Sequence, residues 1–165
     1  MVFPLFIFKA FNPLWFAIVL VGNFAIDTIV LLGISAIVLK RVDFDFYKKT
    51  IFKVWRYGLL ADLMGVGHIC AFGEIADLMI PDKDSGFIYT LLRGIAEGGD
   101  YGNVFYSPVS ICLVISGIIV SGIAIFVFDY FRSFRKTDFT KKQKIIASLI
   151  LAITTMPYTF LLSGL

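Results

Sequence analysis

Asp27, Asp62, His68, Glu74 and Asp77 are ionisable side chains set inside long apolar runs. Carboxylates and imidazoles exchange protons near neutral pH when their surroundings are tuned for it, and carboxylates also attract small cations. In hydrocarbon such groups are expensive: a carboxylate at a helix centre costs about 2.5–3.5 kcal/mol on insertion scales. They therefore face protein or water and take partners, and within a membrane span they point first to a proton or cation path. Asp27 lies at the midpoint of the first apolar run, and Asn23 precedes it by one turn on the same face, as a supporting polar group. Asp62, His68 and Glu74 follow one another at intervals of six residues in the second run. On a helix each such step rises about 9 Å and turns the side chain by about 120°, so the three do not share a face. A relay through them needs groups from other helices or from a second subunit. Antiparallel neighbours would bring Asp27 and His68 to similar depth, and a midplane carboxylate–imidazole pair is expected there. Each residue also has a structural reading. Asp27 can anchor a helix through hydrogen bonds, Asp62 can pair with Lys53 or Arg56, and Glu74 and Asp77 can reach water at the outer edge.

Other chemistries lack their residues. The chain has no phosphate loop, no paired-cysteine motif, no nucleophile elbow and no metal-ligand cluster of diagnostic spacing. Neither a cofactor nor a metal is expected, and a membrane-embedded enzyme ranks behind the other readings. His68 is the only histidine and has no companion ligand set. Cys70 and Cys112 lie in apolar segments and read as buried small hydrophobes. Asp82, Asp84 and Gly86 resemble half of a calcium loop, without its later ligands.

The elements that would position these groups follow from composition. Of 165 residues, 59% are hydrophobic and only 16% charged, with a mean hydropathy of +0.89. A soluble domain carries about 25% charged residues, and with less charge it would expose too much apolar surface, so lipid is the matching solvent. We expect an all-α, polytopic membrane protein: one integral domain over 1–165, a four-transmembrane-helix bundle with short interfacial helices. The spans run over about 13–39, 57–80, 108–130 and 143–162. Asn12-Pro13 starts the first, Lys40-Arg41 stops it, Pro81 ends the second, and Pro157 kinks the fourth. The intervening 40–56 reads as a short amphipathic interfacial segment. A second interfacial segment, about 85–97, places Phe87, Ile88, Leu91, Leu92 and Ile95 on one face. Trp15, Trp55, Tyr57, Tyr106, Tyr130 and Tyr158 fall near the span ends, as an aromatic belt does.

Twelve of the fifteen Lys and Arg residues lie in two segments, Lys40 to Arg56 and Arg132 to Lys144. By the positive-inside rule, 40–56 and 131–142 are cytoplasmic loops facing anionic lipid, and both termini are outside, in the cell (inner) membrane. Nucleic acid is not an expected partner. The first residues, 1–12, are read as an outer interfacial stretch.

Small and hydroxyl residues mark where helices meet in lipid. Gly58 and Gly65 line the second span, Ser110, Gly117 and Ser121 the third, and Ser148, Thr155 and Thr159 the fourth. These seams close the bundle and leave faces for a second copy or for other membrane subunits. Two functions fit: a small proton- or cation-translocating channel or transporter component, or a non-catalytic accessory or scaffold subunit of a larger membrane complex.

Overall fold

The computed structural model describes residues 13–81, 86–99 and 104–162. The fold is all-helical, with no strand among the described residues. In chain order it comprises α1 (Pro13–Val38), α2 (Phe44–Met79), α3 (Phe87–Gly99), α4 (Pro108–Phe128) continuing into a π-helical turn (Asp129–Ser133), α5 (Lys141–Thr155) and a 3₁₀ turn (Tyr158–Leu162). Four of these helices are long and apolar enough to cross a membrane: Leu20–Val38, Phe44–Met79, Pro108–Ser133 and Lys141–Leu161. The expected outer stretch 1–12 lies outside the described residues, as do Asp82 and Asp84.

Three boundaries differ from the sequence reading. The first is 40–56. A separate interfacial segment is expected there, yet α2 is continuous from Phe44. Its buried positions, among them Phe46, Thr50, Val54, Ala61, Ile69 and Ala76, keep helical spacings of four, seven or eight residues along its whole length. Lys48 and Lys49 lie exposed on the other side. The charges lower the hydropathy of this stretch without interrupting its helical stripe, and no Pro or Gly intervenes before Gly58. Its start is fixed by Asp43, whose Oδ1 accepts from the N–H groups of Asp45 and Phe46, both at 3.0 Å, while its Oδ2 takes Arg41 Nη2 at 2.9 Å. This is an N-cap, which serves two of the donors a helix start leaves unpaired. Lys40 adopts φ +56, the left-handed turn that closes α1 and lets the chain reach Asp43.

The second is Pro157: within the candidate span Lys141–Leu161, α5 itself stops at Thr155 and a 3₁₀ turn follows the proline. A proline cannot donate to the preceding turn and disfavours a helical residue before it, and Met156 is extended at ψ 146. Thr159 therefore leaves the expected seam and is exposed. The third is the end of α4, where the helix runs past Tyr130 to Ser133 through the π turn, closed by Phe134 N–H to Asp129 O at 2.9 Å.

Contacts divide the chain into two compact units, with α2 and α4 each contributing to both. One unit consists of Ala17–Leu63 and Ser121–Met156. Its core joins Leu31 and Ile34 of α1, Phe46, Ile51, Val54 and Ala61 of α2, Ile125 of α4, and Leu151 of α5. Three aromatic rings, Phe46 stacked on both Phe134 and Phe139, close one end of this core with centroids 4.9–6.1 Å apart. Gln143 closes the α5 capping box with Thr140 and also donates to Val38 O at 3.3 Å.

The other unit includes Met64–Val120, and it packs through glycine. A Cβ on Gly99 would meet Gly73 Cα, Gly73 N at 2.8 Å and Ile69 O at 2.8 Å. One on Gly117 would meet Ile69 Cδ1 at 2.5 Å and Gly65 O at 3.1 Å. Gly94 and Gly98 receive Ser107 and Ser110 at the start of α4, where Ser110 Oγ donates to Gly94 O at 2.6 Å. Ser107 Oγ accepts the Ser110 N–H at 3.1 Å and so caps α4 ahead of Pro108. The buried residues of α3 are Gly94, Ala96, Gly98 and Gly99, while Phe87 and Ile88, on its expected apolar face, are exposed.

Candidate functional site

Asp27 is where the sequence reading puts it, in the middle of α1, and it is 6% exposed. The stripe that buries it continues through Leu31, Ile34 and Ser35. Its Oδ2 stands over Gly58 of α2, 3.9 Å from where a Cβ would be, so Gly58 makes room for a carboxylate rather than a tight helix contact. One turn further along α2, Asp62 Oδ1 accepts the Ser121 hydroxyl of α4 at 3.0 Å. The expected ion pair of Asp62 with Lys53 or Arg56 is not formed: the ion pairs among the described residues are Arg41–Asp43 and Arg93–Glu97. Asp62 is the charged neighbour that Asp27 feels.

A third carboxylate, Asp129, joins them. It is 1% exposed on the π turn and stands within electrostatic reach of Asp27. Its Oδ1 and the hydroxyl of Ser133, four residues on and also 1% exposed, make no hydrogen bond of good geometry, although the hydroxyl stands close to the carboxyl. Ser148 of α5 carries a third such orphan, and α5 packs on the π turn. A π turn inserts one residue into the helical ladder, which rotates the residues beyond it, and it is a frequent mark of functional positions. Here it directs both Asp129 and Ser133 inward.

Three helices of one unit therefore each contribute a carboxylate, Asp27 and Asp129 buried and Asp62 half-buried, with no Lys, Arg or His paired to any of them among the described residues. Separate negative charges held away from water without a cation are strongly unfavourable. Such a set is stable when protons or a mobile cation neutralise it, and its charge state depends on what it binds. Among the described residues no trio of His, Cys, Asp or Glu is close enough to hold a metal ion directly.

The remaining candidates lie in the second unit. His68 Nε2 is 2.9 Å from Ser116 Oγ, and its ring packs on Phe72 at 4.7 Å. Ser116 gives its one hydroxyl proton to Leu113 O at 2.6 Å, so Nε2–H is the donor to Ser116. Nε2 is thereby engaged within its own unit. Glu74 and Asp77 are exposed, and Asn23 is half-buried.

Of the expected packing residues, Gly65, Ser110 and Gly117 make close contacts and Ser121 serves Asp62. Ser148 is buried, and Thr155 turns its hydroxyl onto Leu151 O of its own helix at 2.9 Å. Cys112 is exposed rather than buried, and Cys70 is half-buried.

Sequence reasoning missed Asp129 because Tyr130, beside it, reads as a membrane boundary, and an acid at a boundary costs little. The signal available was the spacing Ser121, Ile125, Asp129, Ser133, one stripe at intervals of four. Compared with the models of protein families, with curated proteins and with solved structures, the chain matches none.

Proposed function

We propose that this chain is a membrane-spanning, proton- or cation-translocating component, and that Asp27, Asp62 and Asp129 carry the exchange. The supporting observation is the convergence of three carboxylates without a cationic partner, Asp27 and Asp129 buried and Asp62 half-buried, with Asp129 Oδ1 left unsatisfied. Ser121 orients Asp62 by donating to it and leaves its second oxygen for a proton or ion. Asp27 has the most central place, since it feels Asp62 and is felt by Asp129. His68, Glu74 and Asp77 are kept as candidates for the rest of the path.

The test is reconstitution in liposomes with a trapped pH indicator and an imposed potassium diffusion potential. Wild-type protein should pass protons or the chosen cation above the empty-vesicle rate. Asp27→Asn and Asp129→Asn should lose that flux while eluting from gel filtration as the wild type does. Flux at the empty-vesicle rate for wild type, or unchanged flux in both variants, would sink the proposal.

The second reading is an accessory subunit. Its support is the exposed end of α3, where Phe87 is 81% exposed beside an exposed Ile88. An apolar helix end of that kind suits a partner in the bilayer or its surface. Purification in mild detergent separates the readings: a stable assembly of this chain alone favours transport, and co-purifying membrane subunits favour the accessory role.

A further inference from the structure

An open cavity of about 630 Å³ lies where the π turn, the following loop and the start of α5 meet. Its rim carries Arg132, Arg135, Lys141 and Lys144, and Tyr130 and Phe139 are among its apolar lining residues. None of the four cations is ion-paired among the described residues, and the neighbouring Asp138 is exposed without an ion pair. Their placement is also electrostatically unfavourable. The N-terminus of a helix carries partial positive charge, which favours acids in the first turn. The first turn of α5 holds no acid, and Lys141 and Lys144 add like charge to it. The capping box of Thr140 and Gln143 already uses backbone donors there, so side chains must do the binding.

The floor belongs to the buried core: Phe139 is 7% exposed and stacks on Phe46, while the fully buried ring of Phe134 lies tilted against it. A cationic rim over an aromatic floor matches an anionic head joined to an apolar body. With Pro108–Ser133 crossing the membrane, as its length and composition allow, the end of this helix would lie at the level where lipid headgroups begin.

We propose that this cavity binds the phosphate group of an anionic phospholipid, with Arg132 and Arg135 as its principal ligands. Arg presents a planar fork that matches phosphate oxygens in pairs, whereas Lys141 and Lys144 act as point charges. The site stands apart from the three carboxylates, and its occupancy does not depend on the transport reading.

The experiment uses the full chain in mixed micelles of phosphatidylglycerol and phosphatidylcholine, with bound lipid counted by native mass spectrometry. Wild-type protein should retain phosphatidylglycerol selectively. Arg132→Gln/Arg135→Gln should lower that retention roughly 30-fold, on the scale of two lost basic contacts at an anionic surface. Lys48→Gln/Lys49→Gln removes the same charge from the exposed side of α2 and should stay within about two-fold of wild type. Equal loss in both double variants would mean unspecific attraction and overturn the site, and so would equal retention. If the arginine variant does not fold, Lys141→Gln/Lys144→Gln carries the same expectation and the same refutation. A parallel arm adds inorganic phosphate to protein in phosphatidylcholine alone. Thermal stabilisation there that requires Arg132 and Arg135, without selective lipid retention, keeps the phosphate site and assigns it to a soluble anion. Absence of both responses overturns it.

Discussion

A buried carboxylate can be held by an ion pair, a proton or a mobile cation, and the three cases respond differently to a single atom change. Breaking a buried ion pair costs about 3–5 kcal/mol, because the surviving charge is left alone. Asp27, Asp62 and Asp129 have no cationic partner among the described residues, so replacing each with Asn removes a charge and strands none. Asp27→Asn, Asp62→Asn and Asp129→Asn should therefore unfold in detergent at or above the wild-type temperature. A fall of several degrees in all three would reveal ion pairs instead. Asp43 behaves oppositely. The Phe46 N–H, assisted by the Arg41 guanidinium, holds its carboxyl below its ordinary value of 3.8. Because the folded value is depressed, the cap's contribution is fully present above that ordinary value and fades as pH falls through the folded one. Between neutral pH and about pH 5 the difference in melting temperature between wild type and Asp43→Ala should be constant, and it should shrink below about pH 4. A difference that grows with acid would contradict the cap.

At the scale of elements, the two units are held by different means. The Ala17–Leu63 and Ser121–Met156 unit interlocks branched and aromatic side chains, whereas the unit containing Met64–Val120 brings backbones together over glycine. Overpacking such a contact costs about 1–3 kcal/mol or more, since backbone cannot move aside as a side chain can. Gly99→Ala should lower thermal stability by at least that amount, because its Cβ meets the backbone of Gly73 and Ile69. Gly67→Ala, on the same α2 but with nothing within 4 Å, should be neutral or stabilising by up to about 1 kcal/mol. Gly117→Leu should likewise disrupt assembly, while Ile118→Leu conserves volume and should cost less than about 1.5 kcal/mol. Equal melting temperatures within either pair would remove the glycine contact from the account.

At the scale of the whole molecule, the charge bias carries one further expectation. Single cysteines at Thr90 and Asp138, both exposed, in a background with Cys70 and Cys112 replaced, should label oppositely in intact cells. An impermeant thiol reagent should reach the position at Thr90 and leave the one at Asp138 unmodified. The reverse pattern would invert the topology while keeping the helices, and labelling of both would argue against four crossings. Ser133 is unsuitable for this purpose, since it is buried on the π turn.

Hydropathy and punctuation determined the apolar helices, since their signals lie within single segments: long apolar runs, Pro13 opening α1, Pro108 opening α4. They also determined that Asp27 would be buried, because a carboxylate amid apolar neighbours has little choice but to face protein. Matters of partnership were beyond the reach of the sequence. Whether Asp62 meets a lysine or Ser121 depends on helix rotation, and a few tens of degrees exchange one partner for another. The continuity of α2 through its basic stretch was decided by a buried stripe that exists only once other helices cover it. Asp129 lies on the buried stripe of α4, and the π turn that begins at it is stabilised by packing of α5 and Phe134 rather than by any local preference. Segment-level signals are local and additive, so a sequence carries them openly. The convergence of Asp27, Asp62 and Asp129 arises from the meeting of three helices distant in the chain, which tertiary packing alone brings about.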